Sequence, residues 1–307
     1  MLNKYAIVFP GQGSQTVGML KELSLEYPAV KDTFDEASTV LDYDLWHLVQ
    51  NGPEERLNQT EFTQPALLAA GVAVWRVWVA KSKTIPSFLA GHSLGEYTAL
   101  VCADAISFLD AIKLVKMRGR FMQEAYPEKG AMIAVVGLSN DMIQEVCKES
   151  AQGSVLMVAN YNSVGQTVLA GELEASKRAV NKAKDLGAKI AKILPISVPS
   201  HCTLMKPAAK QLSKILSTAV INTPKIPVIQ NADVSYYNDP QKISDSLVRQ
   251  LYNPVRWVET IQLMVKNGVK CILECGSGKV LTGLNKRIDD SIAVDFIGDP
   301  EKMKSYL

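Results

Sequence analysis

Ser93 stands between two glycines in Gly91-His92-Ser93-Leu94-Gly95. A serine with glycine two residues to either side can sit on a turn too tight for flanking side chains, its hydroxyl pushed outward. That is the geometry of a nucleophile. A helix starting just after it would aim free amides and a positive dipole end at whatever negative charge develops beside the hydroxyl. Such a hydroxyl needs a base within hydrogen-bond reach, and histidine titrates where that work is done. The chain has three histidines. His47 precedes an Asn51-Gly52-Pro53 break and reads as a helix-surface or half-buried residue. His92 adjoins the serine, and neighbours on a sharp turn point in different directions. His201, in Val198-Pro199-Ser200-His201-Cys202, lies on a proline-fixed loop just before a helix and is the best candidate. It has no acidic neighbour and falls mid-chain, whereas the histidine of an α/β-hydrolase triad follows an acid and lies near the C-terminus. A Ser–His dyad oriented by a backbone carbonyl or amide fits better.

The elements needed to hold these residues are legible. Phe88 to Ala90 reads as a short buried strand, and a helical pattern starts at Glu96, so the serine motif falls on a strand–turn–helix. Tyr5 to Phe9 is a second apolar strand. It runs into Pro10-Gly11-Gln12-Gly13-Ser14-Gln15, then a helical pattern from Thr16 to about Tyr27. A dinucleotide fingerprint fails in this loop, because Thr16 stands where the third glycine should be. The other use of such a loop is to present backbone amides to an oxyanion. Gly276-Ser277-Gly278-Lys279 fails as a Walker A loop, since it lacks the spacer and the hydroxyl residue after lysine. Residues 29–50 read as one helix, and Pro65 as the first position of the next. That helix carries the longest apolar stretch, Ala66 to Trp75, too short to span a bilayer and therefore a buried helix. A helix over 111–125 carries Lys113, Lys116, Arg118 and Arg120. By periodicity, Arg118 sits at the edge of the apolar stripe of Leu114, Met117 and Phe121, and a solvated basic face is the simpler reading.

Residues 130–197 change character. The order strand, helix, strand, strand, helix, strand (131–136, 140–150, 155–159, 167–170, 174–186, 189–196) is the ferredoxin-like unit. The predicted fold is α/β, with a small ferredoxin-like subdomain at 128–197 inserted into a larger domain formed by 1–127 and 198–307. Strands at 226–230 and 270–274, helices at about 204–218 and 279–287, and a helical stretch over 243–266 broken at Asn253-Pro254 complete the larger domain. A net charge of +2 over 307 residues gives no field for nucleic acid or an anionic membrane surface. The 47% apolar and 21% charged composition is that of a globular protein. Five cysteines with no C-x-x-C pair read as reduced thiols of a cytoplasmic protein, and the N-terminus reads as a strand with no signal peptide.

Eight motifs occur in order: Phe9-Pro-Gly-Gln-Gly-Ser-Gln, Thr63-Gln-Pro-Ala, Gly91-His-Ser-Leu-Gly-Glu-Tyr, Met117-Arg-Gly-Arg, Asn160-Tyr-Asn-Ser, Pro199-Ser-His-Cys, Gln250-Leu-Tyr-Asn-Pro-Val and Gly278-Lys-Val-Leu. With them the chain resembles the malonyl-CoA:acyl-carrier-protein transacylases over essentially its full length, in their stand-alone bacterial form. The resemblance implies a hydrolase-like α/β core with a parallel sheet and the ferredoxin-like insertion, and a seryl-ester, ping-pong malonyl transfer that supplies fatty acid biosynthesis, with malonyl-CoA and acyl carrier protein as partners. It implies no cofactor, the coenzyme A thioester being the substrate. By the same resemblance Ser93 is the nucleophile, His201 the base and the Gln250 main-chain carbonyl its orienting group. The amides of Gln12 and Leu94 form the oxyanion hole. Arg118 pairs with the malonyl carboxylate, reversing the solvated-face reading, and His92 and Asn162 line the pocket. Departures fall in loops: Asn162-Ser-Val-Gly for Asn-Ser-Pro-Gly, and Gly276-Ser-Gly for Gly-Pro-Gly. The rivals are a serine esterase or thioesterase, a non-catalytic carrier-protein-binding module, and malonyl loading of a polyketide carrier. Lys189, Lys192, Lys286 and Arg287 are candidates for a basic rim that docks the acidic carrier.

Overall fold

The computed structural model describes residues 4–196 and 198–307. The boundary expected after residue 197 therefore touches a residue outside those described. Among the described residues, ten strands form two sheets. The first runs β1 (Tyr5–Phe9), β2 (Phe88–Gly91), β7 (Val228–Gln230), β8 (Ser235–Tyr236), β9 (Cys271–Glu274) and β10 (Ala293–Phe296), in spatial order β10-β9-β1-β2-β7-β8. Every pairing in it is parallel except that of the edge strand β8. β1 and β2 are buried at every residue, as continuous apolar strands covered on both faces should be. The second sheet holds β3 (Gly130–Val136), β4 (Leu156–Ser163), β5 (Gln166–Glu172) and β6 (Ile190–Ile193), all antiparallel, in the order β4-β5-β3-β6. With the Asn140–Ala151 and Leu173–Asp185 helices between strands, this is the ferredoxin-like arrangement. The last strand stops at Ile193, short of Pro195, which has no amide to pair.

Register brings the chemistry-bearing loops together. Phe9 pairs with Gly91 and Val8 with Glu274, so β1, β2 and β9 end level. Their carboxyl ends release Pro10-Gly11-Gln12, His92-Ser93 and Cys275-Gly276 at one edge, where open α/β sheets bind ligands. β7 adds Asn231 beside them. The second sheet is stitched to this edge through Val255, whose amide donates to Ala159 at 2.8 Å and whose carbonyl accepts from the Tyr161 amide at 3.0 Å.

The Thr60–Lys81 helix is long and apolar enough to cross a membrane, yet its most apolar window is 78% buried within the fold. It is a core helix, as its sequence suggests. Pro65 is not its first residue: the helix begins at Thr60, and the ring removes only the bond to the Glu61 carbonyl in a partly exposed first turn. The expected 29–50 helix is two, Ala29–Ser38 and Leu45–Asn51, the second restarted by Asp44, whose carboxylate accepts from the His47 amide at 2.8 Å. The helix expected from Thr16 is confined to Lys21–Glu26, because Gly18 (φ 84°) and Leu20 (φ 59°) hold left-handed backbone. β8, β10 and the Pro300–Tyr306 helix are additions that the periodicity does not reveal.

Candidate active site

The turn that carries Ser93 depends on its glycines. A Cβ on Gly91 would lie 1.8 Å from the Gly95 carbonyl carbon, and one on Gly95 would lie 2.1 Å from the Phe9 carbonyl oxygen. Strand end, helix start and β1 thus pack backbone to backbone, and only glycine fits. Ser93 itself adopts φ 52°, a left-handed conformation that costs a non-glycine residue on the order of 1 kcal/mol or more. Its amide donates to Asn231 Oδ1 at 2.7 Å, and its carbonyl accepts from Gln250 Nε2 at 3.0 Å.

His201 approaches from the loop before the Thr203–Met205 turn, also left-handed at φ 63°. Its Nε2 lies 2.8 Å from Ser93 Oγ, and its Nδ1 lies 2.8 Å from the main-chain carbonyl of Gln250. A carbonyl can only accept, so Nδ1 carries the hydrogen and Nε2 presents its lone pair to the hydroxyl. Burial pushes the imidazole pKa down to about 3, with the nearby Arg118 guanidinium adding to the shift. The ring is therefore neutral, and the contact with the Gln250 carbonyl leaves its Nε2 lone pair facing the hydroxyl.

Arg118 is 1% exposed on the Phe108–Glu124 helix, so the solvated basic face that periodicity favoured is wrong for this residue. Its helix packs that edge against the long Thr60–Lys81 helix instead of water. Nη1 donates to Gln64 Oε1 and Nη2 to Gln250 Oε1, each at 2.8 Å, with Nη2 also 3.3 Å from Ser93 Oγ. Nε is buried without a partner, and among the described residues no carboxylate lies within 4 Å of this guanidinium. Tyr97 lies beneath it, 5.2 Å from ring centroid to guanidinium carbon. A buried cation held only by neutral acceptors has an open requirement for an anion.

His92 turns away from the serine, as expected of a neighbour on the turn. Its Nε2 meets Asn162 Oδ1 at 2.8 Å, which ties the turn to β4 of the second sheet, and burial lowers its pKa. His47 is exposed on its helix. Gln12, His92, Ser93, Leu94, Arg118, Asn162 and His201 all line one cavity of about 170 Å³ between the sheets, whose remaining walls include Met122, Met132, Val168 and Leu281. The amides of Gln12 and Leu94 donate to no group among the described residues. All eight site residues expected from the sequence are thus gathered at this edge.

Three contributors were missed: Gln64, Asn231 and Glu96. Gln64 and Glu96 fall inside quoted motifs, and a polar pair closing an apolar strand, Gln230-Asn231, was the available signal for the third. Glu96 is fully buried, and burial pushes its carboxyl up to about 7 against hydrogen bonds from Asn231 and Gln250.

A serine activated by a neutral histidine without an acid, facing a buried guanidinium on an α/β core, defines a serine acyltransferase that handles acidic acyl groups. Residues 6–286 match the acyl transferase domain family. Over 307 residues the chain is 52% identical to the malonyl CoA-acyl carrier protein transacylases of Salmonella typhimurium and Escherichia coli strain K12, covering 100% of this chain and 99% of each relative. Its fold is similar to that of an acyl carrier protein S-malonyltransferase from Vibrio cholerae (TM-score 0.97, 55% identity, 99% of this chain and 100% of the other). It is equally similar to a malonyl-transacylase solved in complex with its type II PKS acyl-carrier protein (TM-score 0.98, 53% identity, 99% of both chains). The chain belongs to the family of malonyl CoA-acyl carrier protein transacylases.

Proposed function

We propose that this chain moves the malonyl group of malonyl-CoA to the phosphopantetheine thiol of acyl carrier protein through an ester on Ser93, supplying fatty acid biosynthesis. The observation that carries the reading is Arg118: a buried guanidinium 3.3 Å from the nucleophile and without a carboxylate of its own. A malonyl carboxylate replaces the neutral acceptors with a two-pronged ionic pair, while an acetyl group leaves the cation unpaired. A thioesterase has no evident need for this cation.

As Ser93 Oγ attacks the thioester carbonyl, His201 Nε2 takes its proton and the Gln250 carbonyl steadies the imidazolium at Nδ1. The tetrahedral oxyanion is held by the amides of Gln12 and Leu94, then collapses to break the C–S bond. The coenzyme A thiolate leaves with the proton from Nε2. The carrier's thiol then runs the same steps in reverse, giving its proton to His201 and regenerating the serine. No redox or metal step enters the balance, so no cofactor is required. His92, tied to Asn162, shapes the wall of the pocket.

The carrier docks, on this reading, across the exposed Lys189, Lys192, Lys286 and Arg287. Residues 128–197 act as an inserted subdomain that closes the cavity over the discontinuous core, since β4, β5 and the segment after β6 supply Asn160, Asn162, Val168 and Leu194 to its walls. Five free, buried cysteines favour a cytoplasmic location. The relative solved with a type II PKS carrier makes polyketide carriers the alternative acceptor.

The test is intact-protein mass spectrometry after brief mixing with malonyl-CoA or acetyl-CoA. A malonyl adduct should form on the native chain, vanish in Ser93→Ala and shift toward acetyl in Arg118→Ala. Release of free acid without a transferable adduct would make the protein a hydrolase, and no adduct from any acyl-CoA would leave a binding module.

A further inference from the structure

The transfer steps leave unused the buried acid beside the nucleophile. Glu96 Oε2 accepts two hydrogen bonds, from the Asn231 amide at 2.8 Å and from Gln250 Nε2 at 2.9 Å. Each donor also grips the main chain of the nucleophile. Asn231 Oδ1 accepts from the Ser93 amide at 2.7 Å, and Gln250 Nε2 donates to the Ser93 carbonyl at 3.0 Å. Asn231 Nδ2 adds a bond to the Gly91 carbonyl at 2.7 Å. The two peptide planes that flank the left-handed Ser93 are thereby fixed from opposite sides, and one carboxylate oxygen joins both holders.

A carboxyl in this position is costly: it is fully buried, no cation lies within 4 Å among the described residues, and its Oε1 has no partner. An apolar residue there would cost the fold less, but it would leave the Asn231 amide and one Gln250 hydrogen without an acceptor.

We propose that Glu96 is a positioning residue that clamps the Ser93 turn through Asn231 and Gln250 and so keeps the nucleophile aimed at His201. The proposal rests on the reading of Ser93 as the nucleophile. Because Gln250 also holds Arg118 through Oε1, a loosened clamp could in principle act on recognition of the acyl carboxylate instead. A reagent with no carboxylate separates the two.

The experiment compares the native chain, Glu96→Gln and Glu96→Ala in two assays: steady-state malonyl transfer, and labelling of Ser93 by diisopropyl fluorophosphate followed by intact mass. Glu96→Ala should label and turn over about 100-fold more slowly, with the malonyl-CoA KM changed less than threefold. Glu96→Gln keeps an acceptor in place and should recover both rates to within about fivefold. A folded Glu96→Ala that labels within threefold of the native rate, or loses only in KM, overturns the clamp. So does a Glu96→Gln as slow as the alanine variant. Should Glu96→Ala fail to fold, Asn231→Ala decides. It should slow labelling at least tenfold at unchanged KM, and normal labelling overturns the proposal. A native chain that neither labels nor forms a malonyl adduct overturns the assignment of Ser93, and the clamp with it.

Discussion

Ser93 and His201, joined by a 2.8 Å contact between Oγ and Nε2, both hold left-handed backbone, at φ 52° and 63°. Few residues other than glycine adopt that region, and each such residue costs about 1–3 kcal/mol. The fold sustains the strain with main-chain bonds at each residue: Ser93 to Asn231 and Gln250, His201 to the carbonyl of Leu251 at 3.0 Å. Strain shared by nucleophile and base is the signature of positions fixed for chemistry at the expense of stability.

If that is correct, Ser93→Gly should abolish transfer and stabilise the fold by about 1 kcal/mol, since glycine adopts this φ freely. Thermal unfolding of the two chains side by side checks it. An unchanged or lower midpoint would mean that the left-handed turn carries no strain.

Gln64 anchors Arg118 through Nη1 without touching the serine. Gln64→Leu should remove that anchor at a cost of about 1–2 kcal/mol in ground-state recognition, raising the malonyl-CoA KM roughly tenfold and kcat much less. Steady-state kinetics reads the split. A fall confined to kcat would place Gln64 in the chemical step.

The depressed His201 pKa sets a pH signature. With the imidazole protonating only near 3, the rate of Ser93 acylation should be level from pH 8 to 5, without the inflection near 6.5 of an ordinary histidine. The stability sign follows. The unfolded chain binds this proton below about 6.5 and the folded chain does not, so His201 destabilises the fold progressively as pH falls from 6.5 toward 3. His201→Asn should therefore gain on the native chain in acid and not at pH 8. Glu96 works the other way: its carboxyl stays protonated in the fold to about 7, so its contribution is present below about 4.5 and lost as pH rises through 7. Rapid-quench acylation and melting curves across pH test both.

Reversing the charges of Lys286 and Arg287 should raise the KM for acyl carrier protein several-fold, most at low ionic strength, and leave loading from malonyl-CoA unchanged. Equal loss in both half-reactions would move the docking surface elsewhere.

The fold was legible where one residue type has one physical use. Gly91 and Gly95 announced the turn, the apolar run at Phe88 its strand, and the strand–helix alternation after Gly130 the second sheet. Helix limits were less so. Leu20 and Pro65 show why: one ends a helical pattern through a left-handed φ that leucine does not advertise, the other sits inside a helix that its ring should begin. Arg118 marks the limit of periodicity at the site. Its place on the helical wheel is at an edge, and only the neighbouring long helix decides that this edge is dry. The polar pair Gln230-Asn231 marked a position but not its role, since the partners of Asn231, Ser93 and Glu96, lie more than a hundred positions away in the chain.

The hydrogen bond from His201 to the Gln250 carbonyl has an evolutionary consequence. Every amino acid at position 250 supplies a main-chain carbonyl, so no codon change there deletes the acceptor that orients the base. The Gln250 side chain, which holds Arg118, is by contrast open to replacement. The orientation of the base is written in the main chain of this residue and the grips on Arg118 and on the Ser93 turn in its side chain, so selection at position 250 can alter those grips while the base keeps its acceptor.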